Sequence, residues 1–264
     1  MKIGTKKIGK ERRDAWGVPA ARKLTVHSPR GRARGFAVFL HGFGSNQSGE
    51  KAAALRGPLL ERGVAYATYD SRGTGDRPED FLDLTPTHLV EDCVAVVRAL
   101  LPRFGRAVLV GSSLGAFAAA WTAALHPRLV AGLVLVAPAF RFLDRHVTSL
   151  PRREVERWRR LGFREMKGPH FDARLSFDLY RDARNYRHSD LLARSTAPSL
   201  VLHGFRDDLV PISESLEFLE GCRSSEVDLV VFKSGDHRLT SRKDDVAALA
   251  AEAARRFLDA APRR

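Results

Sequence analysis

The stretch Ala107-Val108-Leu109-Val110-Gly111-Ser112-Ser113-Leu114-Gly115-Ala116-Phe117 decides the reading of this chain. Four β-compatible apolar residues run straight into Gly-x-Ser-x-Gly. The residues from there through Leu125 are small, apolar and helix-forming. The pattern is strand, sharp turn, helix. So tight a turn leaves no room for a bulky Cβ two residues before or after its apex, and Gly111 and Gly115 meet that condition. Ser113 is the candidate nucleophile. Ser112 is out of register and reads as structural.

Working outward, short apolar runs alternate with helical patterns. Strands are expected at Phe36–Leu40, Val64–Tyr69, Ala107–Val110, Leu133–Val136, Leu200–Leu202 and Val227–Phe232. Helices are expected over 48–62, 87–101, 114–125, about 212–220 and about 243–259. Connections of that length are crossovers, not hairpins. The expected fold class is α/β, a mostly parallel sheet with helices on both faces. Residues 139–195 break the alternation with helices and loops punctuated by Pro151, Gly162 and Gly168-Pro169. They carry eight of the chain's 22 aromatic residues. An insert placed over the sheet's carboxyl edge would be a lid. The expected organisation is a basic arm over 1–22, a core over 23–138 and 196–264, and a helical lid insert over 139–195.

Composition bounds the rest. The chain has 264 residues, 44% hydrophobic and 28% charged, enough apolar material for a full core. No apolar run reaches the ~18–20 residues that span a bilayer. The opening residues are basic and lack the apolar stretch of a secretory signal. Cys93 and Cys222 cannot make a disulfide framework, so a reducing, cytoplasmic setting is expected. Residues 1–34 hold eleven Lys or Arg against Glu11 and Asp14, which accounts for +9 of the net +13. The excess charge is a solvated basic arm, capable at most of weak contact with anionic surfaces. The sequence contains no dedicated nucleic-acid module.

A serine hydroxyl needs a base, and the base an orienting carboxylate. After an elbow of this kind the chain order is Ser, then Asp or Glu, then His. Beyond the strand at 200–202 comes His203-Gly204-Phe205-Arg206-Asp207-Asp208-Leu209-Val210-Pro211, and beyond 227–232 comes Ser234-Gly235-Asp236-His237. Both loops leave the same sheet edge. The H-G-x-x-D-x-x-V-P spacing selects Asp207 as acid over Asp208. His237 is the base, and Asp236 reads as solvated. His41, His203 and the remaining histidines read as structural. Leu114, directly after the nucleophile, offers one backbone N–H to an oxyanion, and Phe43 in His41-Gly42-Phe43-Gly44-Ser45 a second. The Ser71–Asp76 turn borders the site and lacks the Lys and helix start of a phosphate loop. No metal-ligand spacing is present, and neither a metal nor a cofactor is expected.

In this order the residues resemble the α/β-hydrolase superfamily over about residues 23–260. VGSSLGAF, LHGFRDDLVP and SGDHRL, with LPRREVERWRRLGF in the insert, are similar to the α/β-hydrolase-domain-containing protein 10 type. That resemblance implies palmitoyl-protein thioesterase or acyl-glucuronide esterase chemistry, with Ser113, Asp207 and His237 as triad. The chain start differs from that type's Arg/Ser-rich transit sequence, so a mitochondrial location is not carried over. The expected activity is ester or thioester hydrolysis on small-molecule or acylated substrates. The alternatives are a prolyl-oligopeptidase-like peptidase and a non-catalytic module that binds anionic partners through the arm.

Overall fold

The computed structural model describes residues 23–75, 77–167 and 172–260; the basic arm at 1–22, Asp76, and the Gly168-Pro169 pair with His170 and Phe171 lie outside these. The strands are β1 (Thr25–His27), β2 (Gly35–Leu40), β3 (Val64–Thr68), β4 (Ala107–Ser112), β5 (Val130–Val136), β6 (Phe163–Lys167), β7 (Asp172–Ser176), β8 (Ser199–Gly204) and β9 (Val227–Phe232). The helices are α1 (Glu50–Glu61), α2 (Pro86–Phe104), α3 (Leu114–Leu125), α4 (Phe142–Thr148), α5 (Arg152–Leu161), α6 (Phe177–Ala183), α7 (His188–Arg194), α8 (Ser213–Gly221) and α9 (Lys243–Ala260).

Seven strands form one sheet in the order β1-β3-β2-β4-β5-β8-β9. All neighbours are parallel except β1, which runs antiparallel to β3 at the edge. Side chains alternate across a strand, and both faces of this sheet are covered. Phe36, Val38 and Leu40 of β2, Ala107 and Leu109 of β4, and Leu133 and Leu135 of β5 pack with α2 and α3. Ala37, Phe39, Val108, Val110, Val134 and Val136 face the opposite way and pack with α1 and α9. This two-sided burial is why the strands read as continuous apolar runs.

The strands end together at their carboxyl edge, and strand order there reverses about β2 and β4. Loops after β2, β4, β8 and β9 therefore converge at one place. The expected strands all form, β4 extending to Ser112 and β5 beginning at Val130. Two features depart from expectation. β1 is additional. The segment between β5 and β8 contains, besides four short helices, the antiparallel pair β6–β7, with Phe163 opposite Ser176 and Lys167 opposite Asp172. The expected insert of helices and loops is corrected on this point: FREMK shows no apolar alternation, and the alternation in DARLS is confined to Ala173 and Leu175, too short to announce a strand.

The elbow itself is a packing problem solved by glycine. A Cβ on Gly115 would overlap the carbonyl oxygens of Leu40 and His41, and one on Gly111 would overlap the backbone of Gly115 and Ala116. The obstacles are backbone atoms, which cannot rotate away. Gly115→Ala is therefore expected to destabilise the fold by about 1–3 kcal/mol, read as a lower urea midpoint; an unchanged midpoint would contradict this packing.

Candidate active site

At the end of β4 the chain turns through Ser113, whose φ of 54° and ψ of −117° lie where side chains other than glycine are strained. Such a conformation costs of order 1–3 kcal/mol and persists only when its surroundings hold it. The Ser113 N–H donates to the Val136 carbonyl at 2.8 Å, and the Ser113 carbonyl accepts from Ala116 at 3.0 Å and Phe117 at 3.2 Å. The hydroxyl is thus presented at the apex, directly before α3. The helix dipole favours negative charge there.

Two loops deliver the partners. His237, after β9, stands with Nε2 3.0 Å from Ser113 Oγ and Nδ1 2.8 Å from Asp207 Oδ2. A carboxylate only accepts, so Nδ1 carries the proton and Nε2 is left to accept from the serine hydroxyl. The Asp207 side chain is 1% exposed and that of His237 14%. The Leu209 and Val210 N–H groups donate to Asp207 Oδ1 at 2.9 and 2.8 Å. Burial alone would raise the Asp207 pKa. Hydrogen bonds from His203, His237 and the Val210 N–H outweigh it and hold the carboxyl well below the ordinary carboxylate range. Because the folded value is depressed, the stabilisation is complete above the unfolded-state value and drains away as pH falls towards the folded one.

The three expected side chains are therefore brought together across 124 residues of sequence. Asp208 and Asp236 are exposed, and Asp236 also caps a turn by accepting from the Leu239 N–H at 2.7 Å. Gly204 lets the two loops approach, since a Cβ there would strike the Gly235 and Asp236 carbonyls.

The loop after β2 passes directly over the elbow. A Cβ on Gly42 would stand 3.2 Å from both the Ser112 carbonyl oxygen and Ser113 Cβ. Phe43, the next residue, packs its ring edge-on against Phe81 at 5.4 Å and against Phe142 of α4 at 5.9 Å. Leu114 is the first residue of α3, where backbone N–H groups have no partner within the helix. The loop is pinned from behind: the Gln47 backbone N–H and side-chain amide donate to Asp70 at 2.8 and 3.0 Å. His41 is buried with Nδ1 2.9 Å from the Gly42 carbonyl, and burial lowers its pKa. Its structural reading holds in the geometry. Beside Leu114 a small pocket is lined by Phe117, Phe140, Phe142, Leu143 and Tyr186 among others. Among the described residues no group of three His, Cys, Asp or Glu could hold a metal ion.

Reading the sequence missed two things here. His203 contacts Asp207 as well as backbone, a relation its spacing of four residues from the acid could have suggested. Glu214 of α8 is buried, accepts from the Arg141 N–H at 3.0 Å and pairs with Arg145 of α4, joining the 139–195 segment to the element beyond the acid loop.

Parallel sheet, strained serine elbow and convergent loops define an enzyme of the α/β-hydrolase class. A crystal structure from Agrobacterium vitis S4, described as a "Putative hydrolase", superposes with a TM-score of 0.77 at 26% identity, covering 87% of this chain and 91% of that one. Mouse α/β hydrolase domain-containing protein 10 superposes with a TM-score of 0.71 at 24% identity over 89% and 94%. Residues 53–260 match the prolyl oligopeptidase family, and the chain belongs to it. In sequence it is 28% identical over 231 residues to the Bos taurus "Palmitoyl-protein thioesterase ABHD10, mitochondrial", spanning 86% of this chain and 74% of that protein.

Proposed function

We propose that the protein hydrolyses carboxylic esters or thioesters through an acyl-enzyme, with Ser113 as nucleophile, His237 as general base and acid, and Asp207 as the carboxylate that orients His237. The observation that carries this reading is the continuous hydrogen-bonded line from Ser113 Oγ through both ring nitrogens of His237 to Asp207 Oδ2.

In the first half-reaction His237 Nε2 takes the hydroxyl proton as Ser113 Oγ attacks the acyl carbon. The imidazolium that forms is stabilised by the ionised Asp207. The carbonyl oxygen becomes an oxyanion, received by the backbone N–H groups of Phe43 and Leu114. Each such donor contributes about 3–4 kcal/mol to lowering the barrier. Collapse expels the alcohol or thiol, protonated by His237. Water then repeats the sequence on the acyl-enzyme and releases the acid. We read residues 139–195, whose Phe142 packs on Phe43, as the lid over the site.

The thioesterase name of the bovine relative supports a thioester or oxoester substrate. Family membership supports a second reading, cleavage of peptide-like amides. Thiolates and alkoxides leave more readily than amines, which favours the first. A cytoplasmic setting is our reading from the two free cysteines, Cys93 and Cys222; the bovine relative's name places that protein in mitochondria. No helix among the described residues is long and apolar enough to cross a membrane.

The test is an acyl-length series of p-nitrophenyl esters and acyl thioesters, run beside aminoacyl amides. Higher kcat/KM on the esters and thioesters is expected. A preference for the amides would replace this reading with the peptidase.

A further inference from the structure

His203 is the fifth residue of β8 and is 0% exposed. A buried imidazole must satisfy both ring nitrogens. Here Nε2 lies 3.0 Å from the Val210 carbonyl oxygen and 3.2 Å from Asp207 Oδ2. Nδ1 lies 2.7 Å from the hydroxyl of Ser215, in the first turn of α8. Nε2 thus faces two acceptors and no donor, so it carries the proton. With the proton on Nε2, Nδ1 is placed to accept from the Ser215 hydroxyl.

That single N–H grips both ends of one turn. It bonds the Val210 carbonyl and abuts the Asp207 carboxylate, while the Leu209 and Val210 N–H groups donate to the other oxygen of the same carboxylate. Asp207 Oδ2 consequently sits between two imidazoles, His203 at 3.2 Å and His237 at 2.8 Å. Arg145 of α4 also interacts electrostatically with Asp207 and is paired with Glu214 of α8, the neighbour of Ser215.

We propose that His203, held in its Nε2–H tautomer by Ser215, is a positioning residue that fixes Asp207 as the oriented, ionised partner of His237. The proposal rests on the hydrolytic reading of Ser113, Asp207 and His237. It adds a buried line, Ser215 to His203 to Asp207, entering the carboxylate from the side opposite His237. In that tautomer His203 supplies a hydrogen bond without a positive charge that would compete with the imidazolium formed at His237 during turnover.

The experiment compares the pH dependence of kcat and KM for p-nitrophenyl acetate in wild type, His203→Leu, His203→Gln and Ser215→Ala, with near-ultraviolet circular dichroism to establish folding. Loss of the donor leaves the Asp207 carboxylate a stronger acceptor for the imidazolium, raising the proton affinity of the coupled Asp207–His237 pair, and leaves it less firmly placed. His203→Leu is expected to lower kcat by about 10- to 100-fold, with KM little changed. Its acidic limb should also move to higher pH. A merely structural role would reduce the folded fraction and leave the limb where it is. His203→Gln, whose amide N–H can reach the same acceptors, should recover most of the loss. Ser215→Ala should move the limb in the same direction by less. A folded His203→Leu protein with wild-type kcat and an unmoved limb would overturn the proposal, as would His203→Gln being as impaired as His203→Leu. If the leucine variant does not fold, Ser215→Ala kinetics and imidazole 15N spectra of the wild type decide: an Nδ1–H tautomer at His203 would overturn it. Ser113→Ala in the same assay separates the two readings. Turnover that needs Ser113 but not His203 defeats this inference alone, whereas turnover indifferent to Ser113 defeats the hydrolytic reading beneath it.

Discussion

Ser113→Ala is expected to lower ester and thioester turnover by about 10⁴- to 10⁶-fold, leaving substrate binding and the fold in place. The elbow tolerates alanine at its apex more readily than at its flanks, because a serine Cβ already occupies that space while Gly111 and Gly115 are hemmed in by backbone. The substitution removes the one atom 3.0 Å from His237 Nε2. Among the described residues no other hydroxyl hydrogen-bonds His237 Nε2, and Ser112 is buried as the last residue of β4. The residual rate would be that of water in the presence of oxyanion donors. The measurement is kcat/KM on a p-nitrophenyl ester, with Tm monitored to show that folding is intact. Retained turnover at the wild-type level would end the proposed function.

Asp207→Asn is expected to cost about 10⁴-fold in kcat, while Asp208→Asn changes it by less than about threefold. The contrast comes from placement. Asp207 accepts from His237 Nδ1 and from two backbone N–H groups in a side-chain environment only 1% exposed; its neighbour is exposed. An asparagine can present its amide N–H where the carboxylate oxygen was. His237 Nδ1 must then accept, its proton moves to Nε2, and the nitrogen facing Ser113 becomes a donor instead of a base. The substitution also removes the charge that stabilises the imidazolium. Equal losses at positions 207 and 208 would show that the spacing argument chose the wrong acid.

The parts of the molecule legible in the sequence are those where geometry leaves the sequence little choice. Gly111 and Gly115 are demanded by backbone atoms within contact distance. The strands of the sheet are apolar on both faces because α1 and α9 cover one and α2 and α3 the other. The order Ser113, Asp207, His237 reflects which loops share the carboxyl edge. Less legible were elements whose formation depends on tertiary neighbours. β1 is a three-residue edge strand, Thr25–His27, too short to show a period and placed by pairing with β3. β6 and β7 pair with each other through FREMK and DARLS, sequences whose charges conceal the buried Ala173 and Leu175. His203 reads as a backbone-satisfying histidine at a strand end, and it is one. Its second role depends on Ser215, twelve residues on, being folded back by α8.

The phenyl ring of Phe43 shows how the site joins the rest of the chain. Its backbone continues from Gly42 across the elbow, and its side chain lies between Phe81 and Phe142. The loop after β2 and helix α4 are thereby packed together.

The most direct test of the central claim is to treat the protein with a fluorophosphonate, digest it and locate the adduct by mass spectrometry. A serine activated by His237 predicts one label, on Ser113, in the wild type and its loss in His237→Ala. A label on another residue, or equal labelling of Ser113 with His237 removed, would contradict it.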